Sequence, residues 1–381
     1  MRPIMSENAG TPRSLGSPGR RARPGRGVPF EVHDPPGAMM HIEARTLDEA
    51  VARNAFTGVA TVDVGERRTL ERCEGFLHRG LRVPMTADTR IAIASGSKAF
   101  TALAVMRLVE DGTIGLGQRV RGLLGDDLPL IADAVTIEHL LTHTSGIGDY
   151  LDESADWEAT DFVLTVPVHM LTTAEAFLPL LGGHPQQAAP GERFAYCNGG
   201  YMVLAVLLER VTRMTYHDAV RRLVVDPAGL ERTGFLPLND LPGDAAPGYV
   251  LDEGDLVNTL HLPVLGNGDG GAFTTAADLH RFWCAFLDGR IVTRDTVAEM
   301  IRPRHDVPGE GLRYGMGFWL HAVHPALVLE GYDAGASFRS THIPGTRTTL
   351  SVLGNSTEGA WPVIRTFAAA VDAEPRRPGN S

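Results

Sequence analysis

Lysine is nearly missing from this 381-residue chain: its 35 basic residues are 34 arginines and Lys98. Cysteine is scarce as well. Cys73, Cys197 and Cys284 are widely spaced and odd in number, which gives neither a disulfide framework nor a zinc-ligand spacing and fits a reducing compartment. No run approaches the ~18 apolar residues that a membrane span needs. None follows the N-terminal arginines, so no signal peptide is expected. Apolar content of 43% and charged content of 21% are ordinary for a globular protein. The net charge is −11, and only residues 1–38, with six arginines against three acids, are basic. The absence of a basic run in the body argues against a nucleic-acid partner and against an anionic membrane surface. The expectation is a soluble, cytoplasmic protein whose oligomeric state is not legible in the sequence.

Residues 1–38 contain 13 Gly or Pro and read as a disordered arm, with Met39 or Met40 as an alternative translation start. A single catalytic domain is expected over 39–374, followed by a tail at 375–381. Thr46 to Ala55 has helical spacing, Phe56 to Gly65 alternates as a strand, and Thr69 to Leu77 reads as its hairpin partner. Ser97 to Glu110 is strongly helical, with Phe100, Leu103, Ala104 and Leu108 on its buried face and Gly112 as a C-terminal stop. Thr136 to His143 and Gly200 to Val211 read as helices. Thr275 is the expected N-cap of another, which buries Leu279, Phe282 and Phe286. Strands return at Tyr314–His321, Ala326–Leu329, Ser337–Ile343 and Thr348–Leu353, before a last helix from Pro362 to about Asp372. Hairpins this short are marginal alone, so strands from both ends must share one sheet. The fold class is therefore α+β: a lobe from about 39–110 and 270–374, with a mostly helical lobe inserted at about 111–269. The five acids of 151–161 read as a solvated face.

The lone lysine sits in Ile93-Ala94-Ser95-Gly96-Ser97-Lys98. Residues three apart on a helix share a face, so Ser95 and Lys98 can touch, whereas Ser97 cannot face Lys98. A serine hydroxyl needs a neighbouring base to become a nucleophile. A lysine can supply one when burial or a nearby cation lowers its pKa; an arginine cannot. A helix N-terminus at Ser95 offers backbone N–H groups to a developing oxyanion. A second constellation is Tyr196-Cys197-Asn198. Tyrosine can relay a proton beside an ammonium, and an asparagine amide can hold both a lysine and a substrate carbonyl. In an extended segment both side chains project to one side.

Together these stretches resemble the serine β-lactamase and penicillin-binding-protein superfamily, in the branch that holds class C β-lactamases, D-alanyl-D-alanine carboxypeptidases and related esterases. Ser95-Gly96-Ser97-Lys98 is similar to that family's Ser-x-x-Lys, and Tyr196-Cys197-Asn198 to its Tyr-x-Asn. The connecting text is similar too: Arg107 to Gly112, Thr136 to Gly146, Gly270 to Leu279 and Tyr314 to Trp319. The resemblance implies a β-lactamase/transpeptidase-like fold, an antiparallel sheet flanked by helices, with the active site in the cleft between the lobes. It implies an acyl-enzyme on Ser95, proton transfers shared by Lys98 and Tyr196, and Asn198 positioning Lys98 and the substrate. The oxyanion hole would be the Ser95 N–H and one N–H on a late strand.

One departure matters. The family's third motif is Lys- or His-x-Gly, and the corresponding stretch, Gly331-Tyr332-Asp333-Ala334-Gly335-Ala336-Ser337-Phe338-Arg339-Ser340, has neither cation. Asp333, Gly335 and Ser337 are the candidate substrate contacts there; Tyr150 and Trp319 are candidates to line the cleft, with core packing the alternative for Trp319. Asp333 either favours a neutral or cationic substrate or caps a turn, and Arg339 is a candidate replacement cation. His139 and His143 have the spacing of metal ligands on a helix but lack the glutamate of the metalloprotease motif, so no metal or cofactor is expected. The reading is a serine hydrolase acting on a small ester, amide or lactam. The alternatives are an acyltransferase that passes the acyl group to an amine or alcohol, and a catalytically silent binding protein on the same scaffold.

Overall fold

A computed structural model of the chain describes residues 44–53, 56–151 and 163–373. The expected arm, the tail and nearly all of the acidic stretch at 151–161 lie outside the described residues. Helix α1 (Ala44–Arg53) leads into the hairpin β1 (Gly58–Val64) and β2 (Arg67–Glu74). Helix α2 is Lys98–Glu110, α3 is Ile137–Leu141 and α4 is Asn198–Thr212, and α5 (Ala276–Leu287) returns the chain to the sheet. Six further strands follow: β3 (His305–Val307), β4 (Leu312–Tyr314), β5 (Trp319–His321), β6 (Leu327–Asp333), β7 (Ala336–Ile343) and β8 (Thr348–Gly354). Helix α6 (Trp361–Asp372) closes the described chain.

The strands form one eight-stranded sheet in the order β2-β1-β8-β7-β6-β5-β4-β3, and every adjacent pair is antiparallel. The two chain ends meet where β1 pairs with β8, from Gly58 opposite Gly354 to Val64 opposite Thr348. Alternation along β1 divides its side chains between two cores. Val59 belongs to the core that holds Phe100, Phe282, Trp283 and Phe338, whereas Ala60 and Val62 belong to a second core with Leu47 of α1 and Ile364 and Phe367 of α6. Helices therefore cover both faces, which is why β1 is buried along nearly its whole length.

Helix α2 shows why one apolar face understated its burial. Residues 98–106 and Leu108 are all buried, because α2 packs against α4 and, through Phe100 on Phe282, against α5. It ends as expected: Gly112, at φ +71°, turns the chain while its N–H donates to Val109 O at 3.0 Å. Thr275 caps α5 by accepting the Asp278 N–H, and Leu279, Phe282 and Phe286 are buried. Two expectations change. Tyr314–His321 is not one strand; it reverses at Gly315, whose N–H donates to Phe318 O at 3.0 Å, giving β4 and β5. The helix expected to reach His143 stops at Leu141, and His143 adopts φ +55°.

Strand β5 is short, and this opens the site. It covers only Leu327 and Val328 of β6, so the rest of that edge is left to the turn preceding α2. Gly331 makes the approach possible. A Cβ there would lie 2.1 Å from Ile93 O and 2.9 Å from the Ser95 nitrogen.

Candidate active site

Ser95 lies not in α2 itself but in a tight 3-10 turn, Ala94–Ser97, that feeds it. Ala94 precedes it at φ +43°, a left-handed conformation that costs an L-residue roughly 1–2 kcal/mol. Ser97 is fully buried and structural: its hydroxyl donates to Ala94 O at 2.7 Å and accepts the Ala272 N–H at 3.0 Å.

Lys98, the first residue of α2, is 3% exposed. Its Nζ donates to Ser95 Oγ at 2.8 Å, to Asn198 Oδ1 at 2.8 Å and to the Asp269 carbonyl at 2.6 Å. The amine also stands 4.9 Å from the centre of the Tyr196 ring. Ser95, Lys98, Tyr196 and Asn198 thus converge from two distant stretches. The local conformation of the second stretch differs from an extended run. Asn198 begins α4, and Cys197 is its N-cap, with Sγ accepting the Gly200 N–H at 3.3 Å.

Asp149 holds that helix end. Its carboxylate accepts the Asn198 N–H at 2.6 Å and the Gly199 N–H at 2.7 Å, while burial pushes its pKa up to about 6. Tyr196 is fixed by ring contacts: it stacks on Trp319 at 6.1 Å and packs at a tilt on His143 at 4.4 Å between ring centres. His143 is buried and neutral: burial first, then the charge of Lys98, hold its pKa well below the usual value. Its Nδ1 accepts the Cys197 N–H at 3.1 Å. His139, by contrast, accepts the Thr136 N–H in a capping box, so the two histidines serve separate backbone sites.

A cavity opens beside Ser95, lined also by Tyr150, Asn198, Asp269, Tyr332, Asp333 and apolar side chains. Tyr150 donates to the Asp269 carboxylate at 2.5 Å. Asp333 both lines the cavity and caps its own turn, accepting the Ala334 N–H at 2.9 Å. Gly335 and Ser337 are not among the lining residues. Gly335 backs onto Gly248, and the buried Ser337 hydroxyl donates to Ser356 O at 2.8 Å. Trp319 lies behind Tyr196 rather than in the cavity. Arg339 does not replace the missing cation. It stands opposite Glu330 across β6 and β7 and forms an ion pair with it, which commits its charge to the sheet.

The sequence reading missed Asp269 and Asn267. Both sit in Gly266-Asn267-Gly268-Asp269-Gly270-Gly271, where backbone hydrogen bonds between Asn267 and Gly270 close a tight turn. Glycine density was the available signal. At Gly268 a Cβ would lie 2.4 Å from Tyr201 O, so this loop must press directly on α4.

Residues 44–374 match the beta-lactamase family, and the chain belongs to it. A solved structure of a penicillin-binding protein from Bacillus halodurans is 32% identical and superposes with a TM-score of 0.79, over 85% of this chain and 99% of that one. Penicillin-binding protein 4* of Bacillus subtilis is 28% identical over 292 residues, 72% of this chain and 62% of the relative. Esterase EstB of Burkholderia gladioli is 32% identical over 196 residues, 50% of each chain. The match thus spans about three fifths or less of these curated relatives. The fold is the mixed α/β architecture of this family, built on a large antiparallel sheet, and the family is one of serine hydrolases that includes esterases and peptidases. Among the described residues no helix is long and apolar enough to cross a membrane.

Proposed function

We propose that the protein is a serine hydrolase that cleaves a small ester or amide through an acyl-enzyme on Ser95. One observation carries this reading: Lys98 Nζ lies 2.8 Å from Ser95 Oγ and is held in place by Asn198 Oδ1 and Asp269 O. Ser95 Oγ attacks the acyl carbon while its proton passes into the Lys98–Tyr196 pair. The same pair returns a proton to the departing alcohol or amine. Water repeats the sequence in reverse order to release the acid. Lys98 and Tyr196 titrate as a unit, so the pH profile reports the pair and not either residue. The Ser95 N–H and an N–H from the open edge of β6 stabilise the oxyanion, and Gly331 lets that edge approach. Three free cysteines accord with a reducing, cytoplasmic setting.

The test is intact-protein mass after treatment with a fluorophosphonate, a p-nitrophenyl ester panel and nitrocefin, beside Ser95→Ala. The expected result is an adduct on Ser95 and ester turnover in the wild type, both lost in the variant. Ester turnover in the presence of an added amine or alcohol identifies the acceptor: acid alone means hydrolase, and a new ester or amide means acyltransferase. A folded protein that no probe labels would point to a silent scaffold.

A further inference from the structure

A second cavity lies at the other end of α2 from Ser95. Lys98 opens that helix and Arg107 stands in its last turn, ~14 Å further along the axis. The cavity measures about 380 Å³, within the usual range of small-molecule sites. Three arginines line it, Arg107, Arg222 and Arg290, against a single acid, Asp111. The chain as a whole carries −11, so the local sign runs against that of the molecule. The remaining wall is apolar: Leu223, Pro227 and Ile291.

The three guanidinium groups come from three separate elements. Arg222 belongs to a π-helical turn, Arg221–Val225, that packs against α2. Such turns are rare and recur at functional sites. Arg290 follows α5, where the Gly289 N–H donates to Phe286 O at 3.1 Å and the Arg290 N–H to Ala285 O at 2.9 Å. The neighbours of these two arginines in the chain, Val224 and Ile291, are buried, so both side chains stand on an anchored backbone.

Their charges are not equally committed. Arg107 pairs with Glu110 at 3.2 Å and with Asp111 at 3.3 Å. Glu110 is also taken up by Thr293 and Thr296, whose hydroxyls donate to its other oxygen. Arg222 and Arg290 are exposed, and neither has an ion-pair or hydrogen-bond partner among the described residues. Like charges gathered at one cavity repel, and a bound anion would reverse the sign of that interaction.

We propose that this cavity binds a small molecule through a phosphate group. Arg222 and Arg290 hold the phosphate oxygens with their forked N–H donors, and Arg107 adds to the positive field. Leu223, Pro227 and Ile291 offer apolar surface to the body of an organic phosphate. Binding is reversible and breaks no bond, and the site stands whether or not Ser95 carries an acyl group.

The test is calorimetric titration of the full chain with sodium pyrophosphate and with ADP, at low and at physiological salt. Wild type binds at least one of the two, more weakly as salt is raised. The double change Arg222→Gln with Arg290→Gln weakens binding by about 10-fold or more, and Asp111→Asn tightens it. Without ligand, the circular dichroism and thermal midpoint of the double variant match those of wild type, since both side chains are exposed. Tighter binding of ADP identifies an organic phosphate as the ligand, equal affinity identifies the phosphate group alone, and both support the site. A wild type that binds neither ligand overturns the proposal, as does a folded double variant that binds as tightly as wild type. If the double variant fails to fold, Arg290→Gln and Asp111→Asn decide, and unchanged affinity in both overturns it.

Discussion

Two cations flank β6, and they are held in opposite ways. Arg339 is paired with the Glu330 carboxylate across the β6–β7 ladder. Lys98 is held by a hydroxyl, an amide and a backbone carbonyl, all neutral oxygens. The first arrangement fixes a charge that arginine could not shed in any case. The second orients an amine toward a hydroxyl, as a proton-transfer group needs. The difference explains why one lysine persists in an arginine-rich chain, and why Arg339 is no substitute for the cation missing from the third motif.

Replacing each cation breaks the comparison in a different observable. Lys98→Met should lower kcat by about 10³- to 10⁵-fold, the scale for loss of a residue that acts as one unit with the nucleophile, while circular dichroism stays native. Glu330→Gln should cost about 3–5 kcal/mol in urea unfolding, because it leaves Arg339 half-buried without its partner. The double change Glu330→Met with Arg339→Leu should recover most of that stability, and ester turnover should stay close to wild type. A large loss of turnover in the double variant would show that the sheet pair serves catalysis.

Asp149 sharpens the contrast on a smaller scale. Its folded pKa of about 6 is raised above the value near 4 of an unfolded aspartate. Its contribution to folding is therefore full below about pH 4 and fades as the pH rises to about 6. The difference is on the order of 3 kcal/mol across that window. Urea unfolding at a series of pH values should show this loss in wild type and not in Asp149→Asn; parallel curves would contradict it. Smallest in stability is Gly331→Ala, at about 1–3 kcal/mol for a forced overpacking. Turnover should fall further than that cost explains, since the new Cβ would press on Ile93 O and the Ser95 nitrogen.

Much of this was legible because it is local or periodic. The α2 pattern, the Thr275 cap and the alternation in β1 follow from side-chain spacing alone, and the Ser95, Lys98, Tyr196 and Asn198 stretches were read from their likeness to the family's motifs. What was not legible depends on tertiary contact. Asp269 contributes a backbone carbonyl to Lys98, and any residue type could present one, so only the glycine-dense loop hinted at it. Ser337 and Gly335 fall in the right stretch, but the tight β6–β7 turn buries them behind the cavity and leaves Asp333 at its wall. Arg339 could be placed only once the β6–β7 register set it opposite Glu330.

The central claim is tested most directly by the pre-steady-state release of p-nitrophenol from an activated ester, with the protein quenched in parallel and its peptides weighed. The account predicts a burst of about one equivalent per chain and an acyl group on the peptide containing Ser95, with neither in Ser95→Ala. A burst of the same size in Ser95→Ala, or an acyl group on another peptide, would contradict it.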